Sequence, residues 1–116
     1  MKPSEFVDTI RRIVLEASVA DTITAVSSPP GRQPPREFIE LATWFNGLSE
    51  RDGRMVRRML VTVARHSVFG LLAVLDGSRQ VEPGGPKGYF ELRFVKEGKE
   101  DILSGPRGEV LHELLE

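Results

Sequence analysis

The chain has no cysteine, few aromatic residues and a net charge of only −1. Without cysteine, neither a disulfide framework nor a thiolate zinc site can form, and we expect a reducing, cytoplasmic location. The small net charge argues against a general attraction to nucleic acid or anionic membranes. No apolar run approaches the roughly 20 residues of a membrane span, and the first residues lack the apolar core of a secretory signal. We therefore expect neither a membrane partner nor export.

The length and composition are those of one soluble globular domain. The chain has 116 residues, of which 40% are hydrophobic and 28% are charged. A chain of this size can bury a single core. We therefore predict one domain over residues 1–116.

Residues 49–77 form the stretch around which we expect the chain to be organised. Ser49 is a good helix N-cap, and Gly77 is a natural left-handed terminator. Apolar residues recur at helical spacing on one face, where we expect the other elements to pack. These residues are Val56, Met59, Leu60 and Val63.

The second half of this stretch has two interpretations. Residues 68–75 are apolar all round, which predicts burial on every side. Such a run before Asp76 and Gly77 could also be a strand that leads into a hairpin turn. The spacing of the larger apolar residues favours a helix. These residues are Val68, Leu71, Leu72 and Leu75.

Two further helices are predicted before residue 49. The first begins near Ser4 and reaches about residue 19 or 20, although Ile23 and Val26 could continue its apolar stripe. Residues 27–35 contain four prolines and predict a connector. The second helix begins at Pro35 and ends at Gly47.

The last third of the chain predicts a hairpin and a short helix. Residues 89–95 alternate, with Phe90, Leu92 and Phe94 on one face, and residues 96–99 supply a turn with glycine at a position of positive φ. Residues 77–82 could add a third strand. The predicted fold is α+β and mainly helical. In it, two N-terminal helices, a long central helix, a β-hairpin or three-stranded antiparallel meander, and a short C-terminal helix share one core.

Four arginines of the predicted central helix fall on the face opposite its apolar residues, and they are the candidate binding residues. They are Arg51, Arg54, Arg58 and Arg65. Such a stripe could bind phosphate, RNA or an acidic partner protein. No aromatic residue interleaves with the arginines and the net charge is near zero, so the pattern disfavours nucleic acid.

The sequence predicts no catalytic, metal or cofactor site. Glu109 and His112 have the spacing used in di-iron bundles, but the required second pair is missing. His66 could act as a general base with nearby acids if a cleft opens beside it. No nucleophile motif accompanies it, so a partly buried structural histidine is the favoured interpretation.

We therefore expect a small non-catalytic cytoplasmic domain that binds another macromolecule, such as a regulatory or immunity-type protein with an unidentified protein partner. One alternative is a small enzyme or ligand-binding domain that uses His66. Another is an RNA or DNA binder that uses the arginines. Phe69 and Leu72 extend the line of the arginines and need cover, which a second copy in a homodimer would supply.

Overall fold

The structure is a computed structural model that describes all 116 residues. Helices dominate it and a two-stranded antiparallel sheet follows, which confirms the α+β, mainly helical prediction. In chain order the elements are α1 (Pro3–Ile10), a π-helical segment (Arg11–Glu16), α2 (Ala17–Ser27), α3 (Arg36–Asn46), α4 (Glu50–Leu75), β1 (Leu92–Lys96), β2 (Lys99–Ser104) and α5 (Leu111–Leu114).

The residues group into two compact units. The terminal unit comprises residues 1–12 and 66–116, and the middle unit comprises residues 13–65. Buried apolar side chains occur in both units. They are Val7, Val68, Leu72, Ala73, Leu103, Leu111 and Leu115 in the terminal unit, and Leu15, Val26 and Ala42 in the middle unit.

The first helical stretch continues to Ser27, past its expected end near residue 20. Its start also differs: the N-cap is Lys2 rather than Ser4, and the Lys2 amide donates to the Glu5 carboxylate at 3.0 Å. The π-helical segment changes the facing of the side chains, since each of its turns holds more residues than an α-turn. Leu15 is buried there, whereas Ile13 is 58% exposed.

In the middle unit, the closely packed pair of helices is α2 with α3. Asn46 Nδ2, at the end of α3, donates to the carbonyl of Ser27 at the end of α2, at 2.9 Å. Helix α3 ends at Gly47 as predicted, although Gly47 has a φ of −84° rather than a left-handed conformation, and Pro35 is the N-cap rather than the first helical residue. We expected α4 to be the packing centre, but residues 50–65 of α4 are mostly exposed.

Helix α4 is continuous from Glu50 to Leu75, so residues 68–75 are helix and not strand. The Ser49 hydroxyl accepts from the amide of Asp52 at 3.1 Å, which confirms the predicted cap. Gly77 has a φ of 82°, as expected of a left-handed terminator. Burial on every side is wrong, because Leu71 is 60% exposed while its neighbour Leu72 is 2% exposed.

The hairpin has the predicted turn but a shorter first strand. Glu97 and Gly98 have φ values of 49° and 76°, the positive pair that a two-residue hairpin turn requires. From its place on the apolar face of the strand we expect Phe90 to be buried, but it lies before β1 and is 47% exposed, so this prediction is wrong. The pairing is irregular between Leu92 and Arg93, a bulge that interrupts the alternation of faces.

Residues 77–82 do not form the third strand that the sequence allowed. The loop that contains them forms hydrogen bonds within itself and with the end of α4. The amide of Gly88 donates to Glu82 at 2.9 Å, and the amide of Arg79 donates to the carbonyl of Ala73 at 3.0 Å.

By length and composition alone, α4 could cross a membrane. An 18-residue window of α4 reaches a mean hydropathy of 1.5, and 22% of that window is buried. Core helices of soluble proteins pass the same test. Here the buried side of residues 68–73 packs within the terminal unit.

Candidate interaction surface

The four predicted arginines form one exposed face in the first half of α4, which we call the arginine face: Arg51, Arg54, Arg58 and Arg65. Arg57, between them in sequence, is exposed as well. None of these five side chains has an ion pair. The positive charge of these side chains is therefore not balanced by ion pairs with acidic residues of neighbouring elements.

An exposed row of apolar side chains runs beside the arginine face. We call Met55, Met59 and Val63 the apolar row; they are 48%, 71% and 59% exposed. The sequence placed Met59 and Val63 on the core side of the helix. The side of the helix that packs against other residues is narrower than predicted. Among residues 50–65 only four are half-buried: Gly53, Val56, Leu60 and Ala64.

Contact between a methionine and an arginine joins the two features. Arg58 Nη1 lies 3.8 Å from the Met55 sulfur, one turn earlier on the helix. A polarizable thioether tolerates such a charged neighbour. The arginine face and the apolar row therefore make one continuous surface, positive on one side and apolar on the other.

Phe69 and Leu72, the predicted interface residues, are covered within the terminal unit. Leu72 is 2% exposed and Phe69 is half-buried. The Phe69 ring packs edge-on against His112, with the ring centres 4.9 Å apart. The chain itself thus covers Leu72 completely and Phe69 in part, and a second copy at these residues stays a prediction.

His66 is exposed rather than partly buried. Two cavities lie in the terminal unit, of about 430 Å³ beside Pro106 and about 200 Å³ beside Tyr89, and His66 lines neither. No group of three or more histidine and acidic side chains is placed to hold a metal ion.

One polar cluster, formed by Asp76 and His112, was not predicted from the sequence. The Asp76 side chain is 1% exposed and accepts from the ring Nδ1 of His112 at 2.7 Å. It also accepts from the backbone amides of His112 at 3.1 Å and Ser78 at 2.9 Å. No local pattern could reveal this pairing, because Asp76 has the sequence of a turn and His112 lies far along the chain.

The charge of Asp76 is held by these hydrogen bonds. Burial alone would raise the pKa of Asp76, but the hydrogen bonds from Ser78 and His112 outweigh it and leave the pKa below its usual value. A buried carboxylate that is fully hydrogen-bonded in this way fastens α5 to the end of α4. Its role is to hold the terminal unit together.

Comparison with protein-family models, with curated proteins and with solved structures found no match.

Proposed function

We propose that the protein is a non-catalytic domain that acts by binding another macromolecule through the arginine face and the apolar row of α4. The observation that supports this proposal is the exposure of three apolar side chains beside arginines that have no ion pairs. Arginine and methionine are enriched at protein interfaces, where lysine and acidic residues are depleted. A partner would cover the apolar row and supply the missing negative charge.

A reducing compartment suits this proposal, because the chain has no cysteine. In the cytoplasm, a small domain of this kind would work by occupying the surface of its partner, as regulatory and immunity-type proteins do. The alternative of a small enzyme lacks a supporting observation, since His66 is exposed and lines neither cavity.

Affinity capture with a matched pair of variants tests the proposal. Val63 and Val95 are both 59% exposed, but Val63 lies in the apolar row and Val95 lies in β1. We expect Val63→Asp to lose the macromolecule that the wild-type chain captures, and Val95→Asp to retain it. Circular dichroism establishes that both variants are folded. Equal retention by the two variants would contradict the proposal.

A further inference from the structure

The charge of the first half of α4 indicates the chemistry of the partner. Residues 50–65 contain five arginines against two acids, Glu50 and Asp52. The two acids lie in the first turn, where they complement the helix dipole. The rest of this half-helix is therefore strongly positive, although the total charge of the chain is −1. A partner that covers it needs negative charge.

The shape of the apolar row indicates a helix as the partner. Met55, Met59 and Val63 are spaced four residues apart, so they form one ridge about 12 Å long. Such ridges pack into the grooves of another helix. Methionine is flexible and polarizable, which suits it to contact with a facing side-chain row.

We propose that this surface binds an amphipathic helix of a partner protein, with apolar residues on one side and glutamate or aspartate on the flank. The apolar side packs on the apolar row, and the acids pair with the arginine face. This inference rests on the proposed function and names the class of partner.

A second copy of the chain fits this surface less well. Two copies that meet antiparallel through their apolar rows would set arginines beside arginines, since the arginine face borders one side of the row. Like charges brought together at an interface cost several kcal/mol. The charge therefore favours a different, acidic chain.

Nucleic acid and anionic membranes also fit less well. Single-stranded nucleic acid is held by aromatic side chains between the basic ones, and residues 50–65 contain no aromatic residue. Helices that lie on membranes use large residues such as tryptophan, phenylalanine and leucine on the buried face. The row here is two methionines and one valine, and it extends over only about two turns.

A nuclear magnetic resonance titration of the ¹⁵N-labelled full chain tests the proposal. The probe is a synthetic helical peptide of about 18 residues, long enough to be helical. It has leucines spaced four apart and glutamates on both flanks. Three further probes are a peptide of the same composition in scrambled order, a peptide with lysine in place of glutamate, and an RNA oligomer. Vesicles of phosphatidylglycerol are the fifth.

We expect the acidic amphipathic peptide alone to shift amide signals, and to shift them within residues 50–65. Met59→Asp should weaken the binding by roughly tenfold or more, and so should the pair Arg54→Ala and Arg58→Ala. Raising the salt concentration should weaken it further. Val95→Asp should leave the binding unchanged.

Four results would overturn this inference. They are no response at millimolar acidic peptide, an equal response to the scrambled or lysine peptide, a stronger response to RNA or vesicles at the same residues, and unchanged binding by Met59→Asp. If the peptide titration fails but affinity capture still depends on Val63, the acidic helix is rejected as the partner and the proposed function is retained. Capture that does not depend on Val63 would remove the proposed function itself.

Discussion

Asp76 Oδ2 lies 2.7 Å from Nδ1 of His112, although the two residues are 36 positions apart in the chain. The same carboxylate accepts from the backbone amides of His112 and Ser78. One buried side chain thus terminates α4 and anchors α5.

Asp76→Ala should therefore destabilise the fold. The substitution leaves the partly buried amide and ring of His112, and the exposed amide of Ser78, without their acceptor, which should lower the free energy of unfolding by roughly 1–3 kcal/mol. Urea denaturation measures the loss. Asp21→Ala, at an exposed position in α2, is the control, and it should change the value by less than about 0.5 kcal/mol. Equal effects would show that the cluster contributes nothing.

The pH dependence of stability should report the same carboxylate. Because the pKa of Asp76 is lower in the folded chain than in the unfolded chain, ionised Asp76 stabilises the fold above about pH 4. That stabilisation is lost as the pH falls through the folded-state pKa. The difference in unfolding free energy between wild type and Asp76→Asn should therefore shrink from pH 6 towards pH 3. A constant difference would contradict this account.

Leu71 and Leu72 offer a test of how α4 is oriented. Leu72→Ala should cost about 2–5 kcal/mol because the side chain is 2% exposed. Leu71→Ala should cost less than about 0.5 kcal/mol because its side chain is 60% exposed. Denaturant titration compares the two. A larger loss for Leu71 would mean that the helix faces the other way.

Reversal of charge on the arginine face should leave the fold intact. Arg54 and Arg58 are exposed and have no ion pairs, so Arg54→Glu with Arg58→Glu removes only the exposed contact of Arg58 with the Met55 sulfur. The circular dichroism spectrum and the thermal midpoint should match those of the wild type. A collapsed spectrum would show that these arginines are structural rather than available to a partner.

The hairpin turn contains one position that can be improved. Glu97 has a φ of 49°, a conformation that costs an ordinary residue about 1–2 kcal/mol. Asparagine tolerates it, and Asn–Gly is the preferred pair in such turns. Glu97→Asn should therefore raise the unfolding free energy by about 0.5–1 kcal/mol in thermal denaturation. A loss of stability would contradict the turn geometry.

Much of the secondary structure follows from local signals. Ser49 and Gly77 mark the two ends of α4 almost to the residue, and the turn at Glu97 and Gly98 lies where the glycine predicts it. These features depend on backbone preferences of single residues. For that reason they can be predicted from the sequence alone.

The burial of individual side chains was harder to predict from the sequence, and so was the candidate interaction surface on α4. Helical spacing puts Met59 and Val63 on an apolar face, but it does not say whether anything packs there. The π-helical segment near Leu15 and the pairing of Asp76 with His112 both depend on tertiary contacts. The exposed apolar row could be found only once the packing of each element was known.

Methionine oxidation tests the central claim most directly, which is that the first half of α4 is a contact surface. The chain has three methionines, and Met1, at 37% exposure in the terminal unit, serves as an internal control for Met55 and Met59. Exposed methionines are oxidised to sulfoxides by peroxide. In the captured complex, mass spectrometry should find oxidation of Met55 and Met59 slowed severalfold relative to the free chain, with Met1 unchanged. Oxidation of Met59 at the same rate in the complex as in the free chain would contradict the account.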